Sequence, residues 1–160
     1  MTNMYQYCYN TKISEGGDFP AFSKILKMGR KKSMSDKYVI VRGGGDLASG
    51  VIHRLHRCGY RVLILECEKP SAIRRKVAFC EAVYDGTAAV EGILCRRIDS
   101  LEECEQVWQA GEIPLMVDPA GNCIIELSAQ GKIAALVDAI LAKRNLGTSR
   151  NMAPLTIGLG

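Results

Sequence analysis

The sequence predicts a Rossmann-like α/β fold, a mostly parallel sheet with flanking helices. Three observations carry that expectation. An apolar run, Tyr38-Val39-Ile40-Val41, leads through Arg42 into the turn Gly43-Gly44-Gly45-Asp46-Leu47-Ala48. An amphipathic segment and Gly59 follow, and a second apolar run starting at Val62 ends on an acid, Glu66. Further along, short apolar runs alternate with glycines and helix-start signals, the pattern that builds parallel sheets.

The first unit reads as β-α-β. Counted from Gly43, the dinucleotide-binding fingerprint needs small residues at offsets of two and five, which Gly45 and Ala48 supply, with Ala in place of the third glycine. Gly43 permits the tight turn, Gly45 lets a pyrophosphate approach the backbone, and Ala48 lets the helix pack close to the sheet. The helix, residues 47–58, buries Val51, Ile52 and Leu55 and presents its N-terminal N–H groups to an anion. Asp46 falls in its first turn, where it caps the helix but repels a phosphate; Arg42 is the nearby cation that offsets it. Glu66, at the end of the strand 62–66, can accept hydrogen bonds from a ribose diol, which favours NAD, or the adenosine half of FAD, over NADP.

Pro70 suits the first turn of a second helix running to Cys80 or Val83. Residues 83–86, 88–90 and 93–98 are strand candidates broken by Gly86 and Gly92. Ser100 and Glu103 have the spacing of a capping box for a helix over 101–109, closed by Gly111. Residues 113–117 form a buried strand ended by the turn Asp118-Pro119-Ala120-Gly121. Residues 133–140 read as a strand or a strand-to-helix passage, and 155–159 as a last strand that runs into a glycine-rich turn. An uncapped strand there predicts a domain incomplete at its C-terminus, with exposed apolar surface and self-association as homo-oligomers.

The chain has 160 residues, 48% of them hydrophobic, enough for one buried core. No apolar run is long enough to span a membrane and no signal-peptide core precedes the domain. Seven cysteines, none in a Cys-x-x-Cys pair, point to a reduced, cytoplasmic protein without a zinc site. His53 and His56, one turn apart on a helix, read as solvated side chains. The net charge of +4 belongs to residues 1–35, which hold six Lys/Arg and two Asp/Glu, while 36–160 hold 15 of each sign. That balance argues against nucleic-acid binding. Residues 1–35 read as a disordered or poorly structured basic extension, with a helical piece at 22–28 and alternative starts at Met28 and Met34; 36–160 read as the nucleotide-binding domain.

From Tyr38 onward the chain resembles a known family. The matching stretches are 40–50, His53-Arg54-Leu55-His56-Arg57, Glu66-Cys67-Glu68-Lys69-Pro70, Ala72-Ile73-Arg74-Arg75 and 81–86. Residues 137–143, Asn145-Leu146-Gly147-Thr148 and Met152-Ala153-Pro154-Leu155 match as well. The family is the accessory protein of selenium-dependent molybdenum hydroxylase systems, and the likeness covers about 120 of the 160 residues. It implies a role in maturing the molybdenum cofactor of a xanthine dehydrogenase-like enzyme, a molybdopterin-type cofactor as ligand, and the hydroxylase apoenzyme or other maturation proteins as partners. Family members continue past the final Gly-Leu-Gly, and residues 1–35 have no counterpart in them.

Cofactor contacts are thus assigned to Gly43, Gly44, Gly45, Asp46, Leu47, Ala48 and Glu66, with NAD or a related adenine dinucleotide as the ligand. Arg74 and Arg75, early in the second helix, are added as holders of a phosphate, the molybdopterin phosphate included. Cys67 and Cys80 flank the crevice and fit a carrier of sulfur or selenium. Lys143, Arg144 and Asn145 sit where a loop can cover a ligand. Asp99, Asp118 and Asp138 are strand-end acids. The chain has no Ser-His-Asp grouping, Walker lysine or metal motif. Two other functions remain open. One is an NAD-dependent oxidoreductase like the dehydrogenase module of sirohaem synthesis, and the other is a nucleotide-sensing regulatory domain.

Overall fold

β1 (Tyr38–Arg42) is an interior strand of a seven-stranded sheet, between β2 (Arg61–Glu66) and β6 (Ile133–Asp138), and pairs parallel with both. These three strands are the continuous apolar runs of the sequence, as two-sided burial requires. The computed structural model describes residues 37–159. The readings made for residues 1–35, including the helical piece at 22–28, lie outside the described residues.

The order is β3-β4-β5-β2-β1-β6-β7, with β3 (Thr87–Val90), β4 (Ile93–Ile98), β5 (Ile113–Val117) and β7 (Thr156–Gly158). Only β3 runs antiparallel, joined to β4 by the two-residue turn Glu91-Gly92, both at positive φ (49° and 81°) as such turns need. With that hairpin set aside, β5-β2-β1-β6-β7 is the 3-2-1-4-5 order of a Rossmann-like doubly wound sheet. The strand order reverses between β1 and β6, so their C-terminal ends open the crevice where ligands of such sheets gather.

α1 (Asp46–Arg57) covers one face with Ala48, Ile52 and Leu55. The other face, carrying Ile40, Leu63 and Leu65, packs against α3 (Cys104–Gln109) and α4 (Asn122–Ala129) through Val107, Ile124 and Leu127. The expected capping box forms, with Ser100 and Glu103 opening a 3-10 turn at Leu101–Glu103 that runs into α3. At the N-terminal edge of the sheet, Trp108 donates from its indole N–H to the Val62 carbonyl (2.9 Å) and its ring lies 4.7 Å from that of Tyr38.

Two expectations are corrected. Residues 70–83 do not form a helix; they make two 3-10 turns, Arg75–Val77 and Phe79–Glu81, before the single turn α2 (Ala82–Asp85). Tertiary hydrogen bonds decide this: the Cys80 N–H donates to the Gly44 carbonyl (2.9 Å) and the Phe79 N–H to Ser49 Oγ (2.9 Å), which holds Ala78 extended. The apolar face assumed for that helix is not buried either, since Ile73 is fully exposed while Ala78, Phe79 and Cys80 are buried in succession. Residues 83–86 are then not a strand; Gly86, at φ 77°, ends α2. In addition, α4 forms where the sequence reading saw only the end of a turn, and residues 133–140 resolve to a strand ending at Asp138.

Candidate functional site

The turn out of β1 needs glycine for reasons beyond flexibility. Gly43 has φ +95°, and a Cβ there would lie 2.9 Å from the Ala139 carbonyl oxygen. The turn is thus pressed against the chain leaving β6. A Cβ on Gly44 would lie 3.1 Å from the Cys80 nitrogen. At Gly45 the reason differs: among the described residues nothing lies within 4 Å of where a side chain would begin. Gly45 is also the N-cap of α1, in extended backbone. The turn is therefore closed on two sides and open above the helix N-terminus, where backbone dipoles favour an anion.

Glu66 stands beside this turn, at the end of β2. Its carboxylate accepts the N–H of Gly44 at 2.7 Å and of Cys67 at 2.8 Å. Each carboxylate oxygen takes one of these N–H groups, so Glu66 links the glycine turn to the end of β2. Ala48 is buried against the sheet, whereas Leu47 is exposed on the first helical turn.

Asp46 does not cap the helix as expected. It is the first helical residue; its Oδ1 accepts the Leu47 N–H (2.8 Å) and its Oδ2 accepts from Arg74 Nε (2.8 Å). The Arg74 guanidinium, then the Leu47 N–H, hold the Asp46 carboxyl below the usual carboxylate range. Arg74 thereby supplies the neutralising charge that the sequence reading gave to Arg42. Arg42 is buried, and donates to Thr148 Oγ1 (2.7 Å) and to the carbonyls of Pro119 (2.8 Å) and Leu146 (3.2 Å). It ties the loop after β5 to the loop after β6.

Arg75 is not brought to the turn. It bonds Glu81 (2.7 Å) and lies over the Tyr84 ring at 5.6 Å. Neither arginine rides on an α-helix: Arg74 precedes the 3-10 turn that Arg75 opens, and the two take different partners. Burial raises the Cys67 thiol, aided by the Glu66 charge, and pushes the Cys80 thiol up to about 12. Both are held as thiols, the reverse of what an activated sulfur carrier needs.

Of the strand-end acids, Asp118 has the clearest task. Burial would raise its carboxyl, but the N–H groups of Cys123, Asn122 and Gly121 outweigh this and hold it low. Its Oδ2 accepts the Cys123 N–H (2.9 Å), so it secures the start of α4. Asp138 Oδ1 accepts the Ile140 N–H (3.1 Å), and Asp99 is exposed and pairs loosely with Arg97. His53 is half-buried 3.5 Å from Glu91, so it has a carboxylate neighbour that the sequence reading did not give it. Among the described residues no group of three or more His, Cys, Asp or Glu gathers to hold a metal, and no helix is long and apolar enough to cross a membrane.

Sequence reasoning missed Ser49, which is buried, donates to the Gly44 carbonyl (3.1 Å) and accepts from Phe79. A serine among the apolar residues of the sheet-facing stripe of α1, beside Ala48, Ile52 and Leu55, was the available signal. Arg42, a charge at the end of a buried strand, was a second.

The fold and turn define a Rossmann-like α/β protein with an open glycine turn at the reversal point of its sheet. The chain is 51% identical over 122 residues to the uncharacterized protein YqeB of Escherichia coli (strain K12), a match covering 76% of this chain and 22% of that protein. The chain thus spans about a fifth of the length of that curated relative. No protein-family model matches it, and no solved structure matches it.

Proposed function

We propose that the chain is an accessory protein that binds a nucleotide or a molybdopterin-type cofactor during maturation of a selenium-dependent, xanthine dehydrogenase-like molybdenum hydroxylase. The observation that carries the binding is the open space at Gly45, at the N-terminus of α1 and beside Glu66. The pathway, and the hydroxylase apoenzyme as partner, rest on the family resemblance of the motifs after Tyr38. NAD or a related adenine dinucleotide fits the donor set. Gly45 and the first turn of α1 take the pyrophosphate, Arg74 stands beside it, and Glu66 accepts from the ribose hydroxyls. The nucleotide supplies phosphate charge and a ribose diol as handles; the chain's part is to bind and orient it. Free cysteines throughout the described residues support a reducing, cytoplasmic setting.

Calorimetry on the 160-residue chain tests the binding. NAD should bind saturably, and NADP about tenfold or more weakly, because Glu66 repels a 2′-phosphate. Gly45→Val should abolish binding without unfolding the domain. Equal affinity in wild type and variant, or no binding of any adenine dinucleotide or pterin phosphate, overturns the reading. Hydride transfer from bound NADH to a substrate would replace it with the oxidoreductase reading.

A further inference from the structure

The charge of the described chain changes abruptly after β6. Residues 37–138 hold 12 Lys/Arg and 14 Asp/Glu, whereas residues 139–159 hold Lys143, Arg144 and Arg150 and no acid at all. This acid-free stretch wraps a cavity of about 370 Å³ at the C-terminal ends of β6 and β7. Arg144 and Arg150 line it together with the hydroxyl-bearing Thr148, Ser149 and Thr156. Arg61, Arg74, Arg75, Arg96 and Arg97 are all paired with carboxylates, but Arg144 and Arg150 have no ion pair among the described residues. Asp138 is the one acid in the lining, and its Oδ1 is engaged by the Ile140 N–H.

The loop around the cavity is braced. Asn145 Oδ1 accepts the N–H groups of Gly147 and Thr148 (2.8 Å each), and its Nδ2 donates to the Thr148 carbonyl (2.8 Å). From beneath, buried Arg42 holds Thr148 and Leu146. Leu141, in the cavity wall, sits at φ +57°, a conformation that costs a non-glycine residue energy and that persists only where surroundings enforce it. A braced, cationic cavity with hydroxyl donors and aliphatic wall residues is suited to a group that is anionic at one end and apolar behind.

We propose that this cavity is a second binding site, distinct from the glycine turn, for the phosphate group of a small organic phosphate monoester. Arg144 and Arg150 hold the phosphate oxygens, Thr148 and Ser149 donate to them, and the aliphatic wall covers the ester's carbon skeleton. The site adjoins the turn, because a Cβ on Gly43 would lie 3.2 Å from the Cα of Ile140, which lines the cavity.

The test uses the 160-residue chain at fixed ionic strength, titrated with phenyl phosphate and with inorganic phosphate, followed by calorimetry and amide NMR shifts. Phenyl phosphate should bind saturably, more tightly than inorganic phosphate, and shift the Thr148–Arg150 amides. The double variant Arg144→Gln/Arg150→Gln should weaken it at least tenfold. Both side chains are exposed, so the melting temperature should stay unchanged. Arg54→Gln/Arg57→Gln, exposed on α1, should leave binding intact, as should Gly45→Val, even if that change abolishes NAD binding. Undiminished binding in the Arg144/Arg150 variant, an equal loss in the Arg54/Arg57 variant, or loss with Gly45→Val alone would overturn the proposal. So would inorganic phosphate binding as tightly as the ester.

Discussion

Two connections leave the same edge of the sheet, and they are built on opposite principles. From β1 to β2 the chain forms α1, a three-turn helix with its own hydrogen bonds and a buried stripe of Ala48, Ile52 and Leu55. From β2 to β3 it forms only 3-10 turns and one helical turn, fixed by what they touch: Cys80 on Gly44, Phe79 on Ser49, and Tyr84 on the Pro70 carbonyl (2.7 Å). The first connection owes its shape to local periodicity, the second to the first. Pattern-reading therefore succeeds on one and fails on the other.

The contrast can be broken most forcefully at Phe79. It is fully buried in the irregular connection, and Phe79→Ala should cost about 3–5 kcal/mol in urea unfolding. A loss under about 1 kcal/mol would mean that the connection is not docked. A pair of proline substitutions compares the two connections directly. Arg54→Pro, inside α1, should cost about 3 kcal/mol or more. Ile73→Pro, at an exposed site with no helix around it, should stay within about 1 kcal/mol. If residues 70–83 were helical, both would be damaging.

Ser49→Ala cuts the joint between the two connections. It leaves the Phe79 N–H without its partner and should cost about 1–3 kcal/mol. Amide exchange should accelerate at Phe79 and Cys80 more than within α1; uniform acceleration would count against a separate joint. The smallest effect concerns the C-terminal end of α1. Burial, then the neighbouring charges of His53 and Arg57, lower the His56 pKa below its usual 6.5. The unfolded chain then takes up its proton first as pH falls. The contribution of His56 is present above about 6.5 and fades as pH drops through its lower folded value. His56→Gln should flatten the decline of the melting temperature in that window; an unchanged slope would show the imidazole to be solvated.

The β1–α1–β2 unit was legible because each of its signals is local: glycines at fixed offsets, an apolar face, an acid at a strand end. The strands at 88–90, 93–98 and 113–117 and the Ser100 capping box were legible on the same terms. α4 was not, because Asp118 secures it from five residues before Cys123, across a proline turn, and Gly121 stands at its N-cap. Arg42 was assigned the wrong partner for a related reason. Its ligands Pro119, Leu146 and Thr148 lie 77 to 106 residues away in sequence, so only the closed sheet brings them together. Arg74 was placed at the turn for a helical reason, and it arrives there without the helix.

Trp108 gives this chain a built-in optical probe with a particular blind spot. It is the sole tryptophan, and it rests on Tyr38, at the strand end opposite the glycine turn. A five-residue strand separates the two by roughly 13–17 Å. Its emission should therefore follow loss of the whole sheet faithfully while staying silent to a ligand at the crevice. Occupancy would have to be followed by another signal, and an unchanged fluorescence spectrum should not be taken for an absence of binding.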